Sequence, residues 1–245
     1  VYAHADMDAL DKILLANKGQ FKRVCVITDG IFSMRGDHAP LDKINDCCKC
    51  HKVGYEEGII TIVDDSHGIG AFGRTGRGTE EVTGAKADIL IGTLGKALGV
   101  NGGYVVASSI VINYLHETSP FYIYSNPITP AEAAASLVAL NILDSQEGLR
   151  LLEKLRGLNQ FLRTGLASLG YETLAGEHPI VPIFIRDTTK TAALVEHLFA
   201  NNILATGLNY PVVPKGEQEI RLQISADHTG QDLKYLLDKL AVFKG

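Results

Sequence analysis

Three apolar runs, each stopping at a carboxylate or a glycine, limit what this chain can fold into. Residues 24–28 run into Asp29-Gly30, residues 58–63 into Asp64-Asp65, and residues 88–91 into Gly92. Short apolar runs bounded by turn residues predict buried strands. Helical patterns lie between them. Asp6 is placed to cap a helix with Leu10, Ile13 and Leu14 on one face, ending near Gly19. Pro40 opens another, on which Leu41, Ile44, Cys48 and His51 share a face. Residues 101–107 read as a glycine turn feeding a further strand. Such alternation predicts an α/β fold, a mostly parallel sheet with covering helices.

The second half changes character near residue 145. A long amphipathic stretch, 146–169, carries Leu149, Leu152, Leu155, Leu158, Phe161, Leu162 and Leu166, and its leucines read as a core stripe. Strands are expected at 180–186 and 220–225, and helices at 188–200 and 230–243. The expected organisation is therefore a large domain over 1–144 and a smaller C-terminal α/β domain over 145–245. Before the boundary, Pro130 opens a helix over 131–143. The aromatic segment 121–127 reads as strand or interface packing.

The 245 residues can bury a sizeable core. A net charge of −5 argues against a nucleic-acid or anionic-membrane surface. No apolar run approaches the ~18–20 residues needed to cross a bilayer. Four cysteines are too few for a disulfide scaffold. Cys47, Cys48 and Cys50 with His51 resemble a metal cluster superficially. They crowd one helix, however, and no second cluster completes a zinc site. Reduced thiols are the preferred reading, and no metal is expected. A reducing compartment, the cytoplasm or the mitochondrion, follows.

Two motifs carry chemistry. In Gly92-Thr93-Leu94-Gly95-Lys96-Ala97-Leu98-Gly99 a lysine sits in a glycine-rich turn at a strand's C-terminal end, where ligands bind in open α/β sheets. A desolvated lysine of lowered pKa there can attack a carbonyl. Taken alone, the motif more often belongs to an ordinary loop. Upstream, Val63-Asp64-Asp65-Ser66-His67-Gly68-Ile69-Gly70 ends another strand with carboxylates and a histidine. Gly68-x-Gly70-x-x-Gly73 has dinucleotide-fingerprint spacing, but loop residues follow it where a helix is required. The segment Gly73-Arg74-Thr75-Gly76-Arg77-Gly78 reads either as a flexible basic turn or as a loop at the catalytic face whose glycines allow positive φ. Arg221, inside an apolar strand, is either an edge residue facing water or a clamp for a carboxylate.

Together VDDSHGIG, GRTGRG and GTLGKALG resemble the α-oxoamine synthases, fold-type I enzymes that depend on pyridoxal 5'-phosphate (PLP). The resemblance implies that Lys96 carries PLP and removes the substrate α-proton. It implies that Asp64 faces the protonated pyridine nitrogen and that His67 bonds the phenolic oxygen. Thr93 and Ser33 would contact phosphate and ring, and Ser125 the phosphate bound by a neighbouring subunit in a homodimer. Arg221 would anchor the substrate carboxylate. Residues 209–216 look most like the branch that condenses glycine with acetyl-CoA to 2-amino-3-ketobutyrate. The closest rival is the branch that joins alanine to a long acyl-CoA in biotin synthesis. The opening segment, residues 1–10, resembles a mid-domain stretch of the family. A preceding part is therefore expected, holding the residue that stacks on PLP and a phosphate turn. Without it, a non-catalytic fragment or partner subunit is the other reading.

Overall fold

Asp6 accepts a hydrogen bond from the Ala9 amide at 2.9 Å and so starts helix α1 (Met7–Ala16). Such a cap is worth about 1 kcal/mol. The computed structural model describes residues 1–243 and divides into two compact units. One comprises Val1–Ile31 and His38–Gly148, the other Phe32–Asp37 and the chain from Leu149 on.

In the first unit α1 is followed by β1 (Arg23–Asp29), α2 (Leu41–His51), β2 (Gly58–Asp64), the short α3 (Thr79–Thr83) and β3 (Ile89–Thr93). Then come β4 (Gly103–Ala107), α4 (Ser109–Thr118), the single turn α5 (Pro120–Ile123) and α6 (Pro130–Leu143). The sheet order is β1-β2-β3-β4. The first three strands are parallel, whereas β4 runs antiparallel to β3. Only residues 94–102 separate β3 from β4. A parallel return needs a crossover of roughly a dozen residues or more, so the chain turns straight back. Leu10 and Leu14 of α1, Leu41 and Ile44 of α2, and Val26 and Val63 of the sheet form a buried core. The Tyr55 hydroxyl donates to the Leu14 carbonyl at 2.6 Å and ties the end of α1 to the segment before β2.

Of the two expectations for the aromatic segment, strand or interface packing, the strand is not formed, because Pro120 begins the helical turn α5. Its side chains stay in solvent, Phe121 and Tyr124 being nearly 90% exposed, at 88% and 87%. Helix α6 starts as expected, with Pro130 in its first turn and reciprocal bonds between Thr129 and Glu132.

The chain passes into the second unit within the first turn of α7 (Gln146–Ser168). There follow β5 (Ile180–Phe184), α8 (Thr188–Ala200), β6 (Thr206–Leu208), β7 (Glu219–Gln223) and α9 (Gly230–Ala241). Strand order is β5-β7-β6, all antiparallel. Leu155, Leu158, Leu162 and Leu166 of α7 pack with Val181 and Ile183 of β5, Leu194 of α8, Ile220 of β7 and Leu236 of α9. Among the described residues no helix is long and apolar enough to cross a membrane.

Candidate active site

Strand register brings chemistry to one end of the first sheet. Asp29 of β1 pairs with Asp64 of β2, which in turn lies opposite Ile91 of β3. Two carboxylates thus stand on adjacent strand ends, and the Lys96 loop leaves the third. Asp64 Oδ1 accepts from the Ser66 amide at 3.0 Å, and its carbonyl accepts from the Gly30 amide at 2.8 Å. The Asp29 carboxyl is pushed above the usual carboxylate range, first by partial desolvation and then by Asp64, with Lys96 opposing. Asp29, Asp64 and Lys96 therefore share one electrostatic neighbourhood. Nothing in the sequence pattern singled out Asp29; its pairing with Asp64 is what reveals it.

The loop bearing Lys96 is closed on itself. The Thr93 hydroxyl donates to the Gly102 carbonyl and accepts from the Gly95 amide, both at 3.1 Å. Amides of Leu94 and Val100 donate to Gly102 and Leu94 carbonyls at 2.9 and 2.8 Å. Thr93, expected at a phosphate, here fastens the loop. Lys96 itself is exposed, as are its neighbours Gly95 and Ala97. The desolvation expected for its amine is not supplied by the described residues.

His67 is half-buried on the turn after β2. That turn is held by the Asp65 carbonyl, which accepts from the amides of Gly68 and Ile69 at 2.9 and 3.0 Å. The Asp65 side chain is fully buried. Its carboxylate accepts from the Thr79 amide at 2.6 Å and the Thr79 hydroxyl at 2.9 Å. Burial pushes it up to about 6 while the Thr79 bonds pull it down. Three glycines crowd this carboxylate. A Cβ on Gly30, Gly68 or Gly78 would lie 2.1, 2.2 or 2.0 Å from an Asp65 oxygen. The second aspartate of the Asp-Asp pair is thus a buried fastener between the His67 turn and α3.

The arginine-glycine loop is anchored rather than floppy. Gly73, Gly76 and Gly78 all adopt positive φ, the conformation expected of them. The Glu81 carboxylate accepts from the Thr75 amide at 3.0 Å and the Arg77 amide at 3.1 Å, and Arg77 pairs with Asp144 at 2.6 Å. Ser125 follows α5, exposed, and its hydroxyl donates to the Phe121 carbonyl.

Two expected site residues belong to the second unit. Ser33 lies in a turn closed by the Phe32 amide on the Asp37 carbonyl at 3.0 Å and the Gly36 amide on the Phe32 carbonyl at 2.8 Å. Arg221 sits on β7, the middle strand, so the edge-strand reading fails. Its buried Nε has no hydrogen-bond partner, and neither has Oε1 of buried Glu219, two residues away. Burial pushes Glu219 up to about 7, opposed by Arg35 and Arg221. Near neutrality Glu219 is substantially protonated and leaves much of the Arg221 charge uncancelled.

The pattern of an aminotransferase of class I and II matches residues 1–240. An 8-amino-7-oxononanoate synthase of Geobacter metallireducens is 39% identical over 234 residues, 95% of this chain and 58% of that protein. Another, from Marinobacter nauticus, is 39% identical over 98% of this chain and 59% of its own length. The chain thus spans a little under three fifths of these relatives. Serine palmitoyltransferase from Sphingomonas wittichii superposes with a TM-score of 0.88 at 26% identity, covering 97% of this chain and 58% of that one. The same enzyme from S. paucimobilis, carrying a K265A change and a bound PLP–myriocin aldimine, superposes equally well at 25% identity. This α/β architecture is that of the fold-type I transferases. On the match over residues 1–240, the chain belongs to the aminotransferase class I and II family.

Proposed function

We propose that this chain carries the Lys96 half of a PLP-dependent acyltransferase of the α-oxoamine synthase kind, joining an amino acid to an acyl-CoA. The observation that carries the reading is the cluster of Asp29, Asp64 and Lys96 at the strand ends. Two carboxylates against one ammonium leave a net negative charge, which fits a cofactor whose ring nitrogen is cationic. When bound, PLP supplies an electron sink for the pair left on an amino-acid α-carbon. Lys96 Nζ would hold the cofactor and is the group that would accept the α-proton. The Asp64 carboxylate favours a proton on the ring nitrogen, and Asp29 deepens the same negative potential. His67 orients the ring from its turn, and Ser33 and Ser125 are further contacts. Arg221 receives the substrate carboxylate. A homodimer sharing its sites is part of this reading.

Of the two substrate pairs open from sequence, alanine with a long acyl-CoA is favoured over glycine with acetyl-CoA. The relatives at 39% identity are named 8-amino-7-oxononanoate synthases, which supports that choice over glycine C-acetyltransferase chemistry. The test has two stages. Protein incubated with PLP, reduced with borohydride and digested is expected to carry the pyridoxyl mass on Lys96, and the label is expected to vanish in Lys96→Ala. Label scattered over other lysines, or none, overturns the assignment. Release of free CoA is then followed with alanine plus a long acyl-CoA and with glycine plus acetyl-CoA. Faster release from the second pair would return the substrate reading to glycine.

Arg221→Ala is expected to raise KM for the amino acid roughly 10–100-fold, the equivalent of a charged hydrogen bond of about 1.5–3 kcal/mol. The KM for acyl-CoA should stay within about twofold. Equal change in both constants would mean that Arg221 does not select the carboxylate.

A further inference from the structure

Helices α1 and α2 pack together in the first unit, and their contact gathers three metal-ligating side chains. Cys47 and His51 stand one turn apart on α2, so both project from one face. Asp11 meets them from α1. His51 Nε2 lies 2.7 Å from Asp11 Oδ1. A sulfur, a ring nitrogen and a carboxylate oxygen from Cys47, His51 and Asp11 all lie within 4.8 Å of one another. None of the three belongs to the Lys96 group.

We propose that Asp11, Cys47 and His51 bind a divalent metal ion of the zinc class, with solvent as the fourth ligand. A tetrahedral zinc with nitrogen and oxygen ligands at ~2.0–2.1 Å and sulfur at ~2.3 Å sets its ligand atoms roughly 3.3–3.6 Å apart. The pair at 2.7 Å needs to part by roughly 0.6–0.9 Å, and a separation at the 4.8 Å limit needs to close by roughly 1.2–1.5 Å, both through side-chain torsions. The donor set is mixed and borderline-soft, as this ion prefers over magnesium or calcium. Thiolate and carboxylate together neutralise a divalent charge. On coordination Cys47 gives its thiol proton to solvent and its sulfur lone pair to the metal, with no change of oxidation state. Burial, Asp11 and then Cys50 hold that thiol above its usual range, an environment in which a cation reverses the balance. The His51 side chain is 11% exposed and that of Asp11 54%, so the site is backed by protein and open on one side. That open side admits the fourth ligand.

Cysteines crowded on one helix lack a complete set by themselves. Asp11, 36 residues earlier than Cys47, supplies what the local pattern lacked. Without a metal, the same contact is an Asp11–His51 hydrogen bond that needs no thiolate from Cys47. Cobalt(II) separates the two readings, because thiolate ligation gives a sulfur-to-cobalt charge-transfer band. Titration of the whole chain is followed as difference spectra, and zinc affinity is measured by competition with a chromophoric chelator. The band is expected in the parent protein and expected to disappear in Cys47→Ser. His51→Gln and the surface change Asp11→Asn should weaken zinc by at least the roughly 10–100-fold typical of losing even an outer partner. Cys50→Ser and Cys25→Ser should leave both readings unchanged, and far-ultraviolet circular dichroism checks that each variant is folded. Absence of the band in the parent, its persistence in Cys47→Ser, or its loss in Cys50→Ser overturns the site.

Discussion

Asp64→Asn is expected to reduce turnover by on the order of 10²–10³-fold while Lys96 remains labelled by PLP after borohydride reduction. The magnitude is that of deleting one preorganised electrostatic group aimed at developing charge. Asparagine keeps the acceptor that receives the Ser66 amide, so the strand end should hold its shape. What it loses is the negative charge that, on the proposed reading, would favour a proton on the ring nitrogen. Asp29, paired beside it in register, is not an adequate substitute, because partial desolvation, the larger cause of its raised pKa, remains when the Asp64 charge is gone. Steady-state rates and labelling on one preparation separate the outcomes. Loss of label along with rate would assign Asp64 to cofactor retention, and full activity would remove it from the chemistry.

The second large effect is on stability. Asp65 holds its proton in the folded state up to about pH 6, against an ordinary value of 3.8. Between those values the folded chain binds more protons than the unfolded one, so stability falls as pH rises through the window. The loss from this group is roughly 3 kcal/mol by neutral pH. Asp65→Asn should therefore show a flatter profile than the parent between about pH 4 and 7, measured by urea unfolding. Glu219 contributes a slope of the same sign, but it is common to both proteins and cancels in the difference. Identical profiles would mean that Asp65 does not titrate with folding. Gly30→Ala probes the same carboxylate from the other side. Its backbone is ordinary, so the expected cost of about 1–3 kcal/mol is steric overpacking alone. In an Asp65→Ala background, where the carboxylate is gone, that added cost should shrink, a coupling that a double-mutant cycle reads directly.

What could be read from sequence was what local chemistry fixes. The cap at Asp6, Pro130 at the head of α6 and the leucine stripe of α7 announce their helices. Strands β1, β2 and β3 were legible from apolar runs with abrupt ends. Helix α4 gave little signal, because Ile110, Val111 and Ile112 are β-branched and none of its residues is buried to mark a face. Strand β6, of three residues, is too short to show a period. The direction of β4 was decided by the length of its connection, which composition does not reveal. In the candidate site, Asp64, His67 and Lys96 were visible as motif letters. Asp29, Asp65 and Asp11 gain their interest from partners distant in the chain, at Asp64, at Thr79 with Gly30, and at Cys47 with His51. Pairing across the fold creates that signal, and no window of sequence contains it.

The closed loop around Lys96 has a kinetic consequence. Its backbone is pinned at Leu94, Val100 and Gly102, while Lys96 itself is exposed and carries its amine on four methylenes. An amine that must leave one atom and reach another can travel by side-chain torsions alone. Exposed side chains hop between rotamers in picoseconds to nanoseconds, whereas loops and lids open over microseconds to milliseconds. Turnover in enzymes is commonly about 10 per second. On the reading proposed above, a swing of Lys96 by torsions alone would outpace such a cycle by many orders of magnitude, which would leave bond making or larger motions to limit the rate.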